Sequence, residues 1–330
     1  MRYYAYTLNA KKRSPMKPLS NFFSENMNME DMVQQKLRLF FKDESIVFDK
    51  SRYAGGLTNY NYIMKVHGKE YVIRKPGNLT DQMIDRKIER VNNGIASEFG
   101  VNSECVYFDE ESGIKISRYI PDSKTLAAAD PFALQSLRAV SSLLKKIHGS
   151  PKHFPNTFDW LSELAKYESI VMRINGELFF DYASLKEQLL RFMQDYLKDV
   201  ISVPCHNDTV PENFLADSSG SVYLIDWEYS GMNDPAFDIA AYIIESRLTS
   251  EAINQLFEAY YGNAFTKNDL MKVKCYMMAQ DLLWTVWALL RHYTGDDYLD
   301  YCWLRYNRLR RNIQVLSMRP DYPIADMVTA

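Results

Sequence analysis

His206-Asn-Asp208-Thr-Val-Pro-Glu-Asn213, followed by Tyr223-Leu-Ile-Asp226-Trp-Glu-Tyr229, is the stretch on which the reading of this chain turns. Asp208 stands five residues before Asn213, and Asp226 closes a short apolar run, Ser221 to Ile225, that reads as a strand. A loop of this length aims one carboxylate outward while the amide folds back, and the strand end supplies a second carboxylate. Hard divalent cations take oxygen ligands, which such a set provides. A lone Asp in a loop is ordinarily solvated or structural. His, Asp, Asn, an apolar strand and a second Asp in this order make a far less ordinary combination. His206, Pro204 and Pro211 read as loop-shaping residues.

Phosphoryl transfer asks for such groups: a carboxylate at the attacking hydroxyl, oxygen ligands for Mg²⁺ and a cradle for the triphosphate. The kinase catalytic loop, H-R-D-x-x-x-x-N, has this spacing, here written H-N-D-x-x-x-x-N. The run 206–245, HNDTVPENFLADSSGSVYLIDWEYSGMNDPAFDIAAYIIE, resembles the signature of the choline/ethanolamine kinase family. That family sits within the wider aminoglycoside-phosphotransferase and protein-kinase-like fold, and the resemblance spans about residues 45–310.

The resemblance implies an α+β, bilobal protein-kinase-like fold, with a small antiparallel-sheet N-lobe and a larger, mostly helical C-lobe. It implies ATP and Mg²⁺ as cofactors and choline as the small-molecule acceptor. By motif, Asp208 resembles the catalytic base, Asn213 and Asp226 the metal ligands, and Asp238 a residue bracing the catalytic loop, with Glu228 assisting at the metal. An alcohol is far less acidic than a carboxylic acid, so Asp208 is expected to orient the hydroxyl and take its proton late. Family membership also implies that the phosphocholine feeds lipid or surface-glycan synthesis.

Composition sets the outer bounds. The 330 residues are 47 % hydrophobic and 25 % charged, a globular balance, and the net charge of −3 offers no basic field for nucleic acid. Four cysteines stand far apart with no CxxC pair, which excludes a disulfide scaffold or a CxxC-type zinc site and suits a reducing compartment. The longest apolar candidate, Leu282 to Leu290, is nine residues, too short to span a membrane. The N-terminus has no apolar stretch of the secretory type. The expectation is a cytoplasmic protein inserted in no membrane.

Along the chain, residues 1–30 show no period and read as an extension, 31–120 as the nucleotide-binding N-lobe, and 121–330 as the catalytic and acceptor-binding C-lobe. A helix is predicted over Met29–Phe41. Strands follow at Asn59–Val66 and Tyr71–Arg74 around a His67-Gly68-Lys69 turn, and at Cys105–Asp109 and Ile114–Ile120. Ile84, Ile88, Val91 and Ile95 predict one apolar helix stripe ending near Gly100. Asp130-Pro131 opens a helix burying Phe132, Leu137, Val140, Leu144 and Ile147, and helical patterning then runs to Arg311 apart from 203–226.

In the N-lobe, Gly55-Gly56-Leu-Thr58-Asn59 resembles the family's glycine-rich turn, where missing side chains let backbone N–H groups approach phosphate. Arg74 stands where protein kinases place the strand Lys, with Glu89 as its partner. Arg118, Tyr119 and Ile120 resemble the hinge that bonds adenine.

Between Cys275 and Tyr306 a quarter of the residues are aromatic, against 14 % for the chain. A buried aromatic stripe would look the same. A cage for a quaternary ammonium is the alternative, because that group donates no hydrogen bonds and is held by ring faces at roughly 0.5–2 kcal/mol each. The resemblance points to the cage. Trp284 and Trp287 match its W-x-x-W, Tyr298 and Tyr301 its Y-x-D-Y, Tyr229 another wall and Glu245 the counter-charge. Asp296-Asp297 stand where an aromatic is common, which predicts a more acidic pocket. An ethanolamine or other amino-alcohol kinase, an aminoglycoside or sugar phosphotransferase, and a non-catalytic nucleotide- or choline-binding pseudokinase stay open as alternatives.

Overall fold

The computed structural model describes residues 28–56 and 58–329. The extension expected over 1–30 lies, up to residue 27, outside the described residues. Residues 28–48 form one compact unit and residues 49–329 another. In the first, helix α1 (Met29–Phe41) occupies the span its periodicity predicts. The Asn28 side chain accepts from the Asp31 N–H at 2.9 Å, and Lys42 ends the helix in the left-handed region at φ 53°. Gln34 and Arg38 then hold the returning chain, Arg38 Nε donating to the Ile46 carbonyl at 3.1 Å.

The second unit opens with a five-stranded antiparallel sheet. Its strands are β1 (Tyr53–Gly55), β2 (Asn59–Val66), β3 (Lys69–Pro76), β4 (Cys105–Phe108) and β5 (Lys115–Arg118), in the order β1-β2-β3-β5-β4. His67 and Gly68 both have positive φ, 48° and 78°, the geometry of a two-residue hairpin turn whose twist matches its strands. Pairing β3 with β5 sets Arg74 opposite Lys115 and Ile73 opposite the buried Ile116.

After the short α2 (Thr80–Met83), α3 (Arg86–Glu98) starts on an Asp85 cap. Here the structure corrects part of the predicted stripe: Ile84 is buried and Ile95 packs half-buried against the core, but Val91 faces out. The buried residues of α3 are Arg86, Glu89, Asn92, Asn93 and Ala96, whereas Val91 is 49 % exposed. The first turns carry charge inward because they address a polar site, while Ala96 and Ile95 farther along join the core.

The helical lobe contains β6 (Lys124–Thr125), α4 (Leu134–His148), α5 (Trp160–Arg173), α6 (Tyr182–Gln194) and β7 (Val203–Cys205). A 3₁₀ turn at Pro211–Asn213 leads into β8 (Phe214–Ala216), β9 (Val222–Leu224) and β10 (Gly231–Asn233). The chain ends in α7 (Pro235–Glu245), α8 (Ser250–Tyr261), α9 (Lys267–Tyr293), α10 (Leu299–Met318) and α11 (Ile324–Val328). Leu137, Val140, Leu144 and Ile147 are buried as predicted, but Phe132 precedes α4 and is 41 % exposed. The ribbons β10-β7 and β6-β8-β9 flank the 206–213 loop, β7 ending at Cys205 and β8 starting at Phe214.

Helix α9 is the axis of this lobe. It begins with a reciprocal Thr266–Asp269 capping box, is buried from Met271 to Arg291, and packs against α5, α7 and α10. The apolar run 282–290 belongs to that core, and no described helix is long and apolar enough to cross a membrane. The four cysteines are free thiols.

Candidate active site

A strand that ends and must turn leaves backbone N–H groups without partners, and here Asp238 in the first turn of α7 supplies them. Its Oδ2 accepts from the His206 N–H at 2.8 Å and its Oδ1 from the Asn207 N–H at 2.6 Å. His148 Nε2 meets the same carboxylate at 3.0 Å, and the Thr209 hydroxyl donates to the Asp238 carbonyl at 2.5 Å. Asn207, at φ 66°, reverses the chain, and its side chain ties to the Tyr229 carbonyl at 3.0 Å and to Asn233 at 2.8 Å. His206 is fully buried edge-on to Trp227 with Nε2 at 2.9 Å from the Ile225 carbonyl, and burial lowers its pKa. A neutral ring in that position shapes the loop and stays clear of the cavity.

The loop so held carries Asp208 into a cavity of about 640 Å³ between the sheet and the helical lobe. Asn213 Nδ2 donates to the Asp208 carbonyl at 2.9 Å and to its Oδ2 at 3.0 Å. That leaves the amide oxygen of Asn213 as its remaining polar atom. Burial, with the charges of Asp226 and Glu228, pushes the Asp208 pKa up to about 7, the range in which a carboxylate accepts a proton readily.

Asp226 sits at φ 66°, a conformation that Asp tolerates better than most residues. Its Oδ1 is buried without a hydrogen-bond partner, and the Arg74 guanidinium is 3.7 Å away. Glu89, Asp226 and Glu228 each bring an oxygen within 4.8 Å of the others. Arg74 and Arg86 already engage Glu89, so the oxygens open to a hard divalent cation are those of the cavity-lining residues Asp226, Asn213 and Glu228. Glu228 Oε2 is already engaged by Asn59 Nδ2 at 2.8 Å and Arg86 at 3.1 Å. Burial and Asp226 raise its pKa to about 6.

At the sheet end of the cavity, Gly55 and Gly56 take φ values of 96° and 127°, and a Cβ on Gly56 would lie 2.0 Å from the Asn59 carbonyl oxygen. Only glycine fits that turn. Gly55, Gly56 and Thr58 line the cavity; Asn59 is turned inward to Glu228 and Arg86 instead. Arg74 forms the expected pair with Glu89, and the Gly113 carbonyl accepts from its Nε at 3.2 Å and its Nη2 at 2.9 Å. Burial would raise the Glu89 pKa, yet Arg74, Lys115 and Arg86 hold it down to about 2. Glu89 therefore organises the cations from behind the cavity wall.

The Arg118 carbonyl accepts from Ser103 at 2.5 Å, and the Tyr119 N–H donates to the Glu70 carbonyl at 3.2 Å. Among the described residues this leaves the Tyr119 carbonyl and the Ile120 N–H without a partner; the two share one trans peptide and point opposite ways, so only one of them at a time can face an adenine edge in the cavity that both residues line.

At the other end, Tyr229, Trp284, Trp287 and Tyr301 line the cavity. Trp284 meets Tyr229 edge-on at 5.3 Å and Trp287 at 6.3 Å, and Trp287 lies 6.5 Å from Tyr301. Tyr298 backs Trp287 at 5.1 Å without lining the cavity. The acidic wall expected from Asp296-Asp297 is absent: Asp296 is paired with Arg291 at 2.8 Å, and neither aspartate lines the cavity. Glu245 lines it but is ion-paired with Arg305.

The family model for choline/ethanolamine kinase matches residues 50–263. The chain belongs to the choline/ethanolamine kinase family. Protein LicA of Haemophilus influenzae strain Rd is 34 % identical to this kinase over 254 residues, covering 74 % of this chain and 94 % of its own. The crystal structure of choline kinase LicA from Streptococcus pneumoniae superposes with a TM-score of 0.75 at 29 % identity, over 87 % of this chain and 99 % of that one. A LicA complex with AMP matches at 28 % identity and a TM-score of 0.74, over 88 % and 99 % of the two chains. The fold is the bilobal, protein-kinase-like one.

Sequence reasoning passed over Lys115, Gln280 and Arg305, which also line the kinase's cavity. Gln280 and Arg305 stand four residues from Trp284 and Tyr301, so helical spacing alone places them on the same faces. Lys115 needed the strand register that sets it opposite Arg74.

Proposed function

We propose that this kinase transfers the γ-phosphoryl group of ATP to the hydroxyl of choline, giving phosphocholine and ADP. The observation that carries the reading is one continuous cavity with Asp208 between a glycine turn and four ring faces. A trimethylammonium among Tyr229, Trp284, Trp287 and Tyr301 sets the acceptor hydroxyl toward Asp208. Its oxygen forms the new bond to phosphorus as the bond to the β,γ-bridging oxygen breaks, and the hydroxyl proton passes to the Asp208 carboxylate late in the step. Asn213 holds that carboxylate in place.

Asp226, Asn213 and the free oxygen of Glu228 would hold Mg²⁺, which when bound supplies neutralising charge to the transferring phosphoryl group. Gly55, Gly56 and Thr58 form the cradle, Arg74 adds positive charge at the phosphate end, and Tyr119 and Ile120 receive the adenine. The test is ADP release with Mg-ATP against choline, ethanolamine and a representative aminoglycoside, with product mass confirmed. Turnover on choline at low KM is expected. Silence on choline with turnover on an aminoglycoside would overturn the acceptor and leave the fold standing.

A further inference from the structure

The acceptor end of the cavity holds one carboxylate from α7, Glu245, and α10 brings Arg305 against it. Arg305 Nη1 also reaches Asp281 Oδ1 at 3.1 Å. Asp281 is independently gripped by Arg308, whose Nε and Nη2 donate at 2.9 and 2.7 Å. Two guanidinium groups thus face two carboxylates, and the formal charges of the cluster cancel. The Arg305 guanidinium carbon also lies 4.6 Å from the centre of the Tyr301 ring.

We infer that Arg305 sets the kinase's choice among amino alcohols, favouring a fully alkylated ammonium over a primary one by cancelling the charge of Glu245. The inference rests on the choline reading. Ring faces attract any cation, so they do little to separate the two substrates. What separates them is desolvation: a primary ammonium leaves water with three N–H donors to satisfy, a trimethylammonium with none. A free carboxylate would meet that need with a charge-assisted hydrogen bond. The charge of Glu245 is taken up by the Arg305 ion pair, although its Oε1 makes no hydrogen bond, and the other unpartnered acceptors among the lining residues, Gln280 Oε1 and the Tyr229 hydroxyl, carry no charge. Arg305 acts through Glu245, so it is a positioning residue. Because Arg308 keeps Asp281 paired, replacing Arg305 does not strand that carboxylate.

The test uses the full chain at saturating Mg-ATP with choline, N,N-dimethylethanolamine, N-methylethanolamine and ethanolamine. In the wild type kcat/KM should fall with each methyl group removed. In Arg305→Met the choline-to-ethanolamine ratio of kcat/KM should drop about tenfold or more, as expected for a newly available charge-assisted bond, with the KM for ATP within about twofold. Adding Glu245→Gln to Arg305→Met should restore the wild-type preference, which a merely structural role for Arg305 would not do. A single-variant ratio within about twofold of wild type, or a double variant that keeps the altered ratio, overturns the inference. If Arg305→Met does not fold, the wild-type series decides: ethanolamine within about twofold of choline overturns it. No turnover of choline at all instead overturns the acceptor reading on which it rests.

Discussion

At the residue scale, the site accepts a thermodynamic cost for its chemistry. The folded-state pKa of Asp208 is raised by burial and by Asp226 and Glu228 from 3.8 to about 7, so the ionised carboxylate is disfavoured in the fold. A raised carboxyl destabilises fully above the folded value, and the penalty shrinks as pH falls toward the unfolded one. Asp208→Asn should therefore raise the melting temperature by a few degrees at pH 8 in EDTA, with a smaller gain at pH 5.5 and none near pH 4. The same substitution should cut kcat by about a thousandfold or more while ATP still binds. Thermal melts and calorimetric titration check both halves, and surviving turnover would remove Asp208 from the proton's path. Trp284→Leu and Trp287→Leu keep apolar bulk and remove a ring face. Each should raise the KM for choline by about tenfold with little change in that for ATP. Parallel rises in both constants would return the tryptophans to the core.

Helix α3 shows, at the scale of elements, why part of the site was hidden in the sequence. An apolar period locates a helix, and α3 is where the period places it, but the period nominated the exposed Val91 and passed over the charged residues that are buried. Its buried side carries Arg86 and Glu89 because Arg74, Lys115 and Glu228 converge there from β3, β5 and the segment after β9. The 206–226 loop was legible for the opposite reason: its spacing is dictated by chemistry within one short segment. The pairing of Glu245 with Arg305 joins α7 to α10 across 60 residues of chain, and no local pattern encodes it. If α3 is a charge platform, Glu89→Gln leaves Arg74, Arg86 and Lys115 short of a buried partner. It should cost about 3–5 kcal/mol by denaturant melts and raise the KM for ATP, while Val91→Lys, on the exposed face, should shift stability by less than about 0.5 kcal/mol. Equal effects at the two positions would mean that α3 is not a charge platform.

Over the whole molecule, the sheet lobe and the helical lobe share carboxylates at the cavity, beside the apolar contact that Phe99 makes with Phe154. Glu228, from the helical lobe, accepts from Asn59 in β2 and Arg86 in α3, and Asp226 faces Arg74 of β3. A ligand that supplies positive charge at Asp226 should therefore stabilise the kinase as a whole. Binding to the native state adds RT ln(1 + [L]/Kd), so ATP with EDTA should raise the melting temperature and Mg-ATP should raise it further. Asp226→Asn separates the two increments. Asparagine tolerates positive φ as well as aspartate does, so the backbone at φ 66° stays unstrained, but the carboxylate charge is gone. The variant should keep the increment from ATP and lose the extra one from Mg²⁺. A Mg²⁺ increment that persists in Asp226→Asn would place the cation on Glu228 or Asn213 without Asp226, and would require another reason for the orphaned Asp226 oxygen.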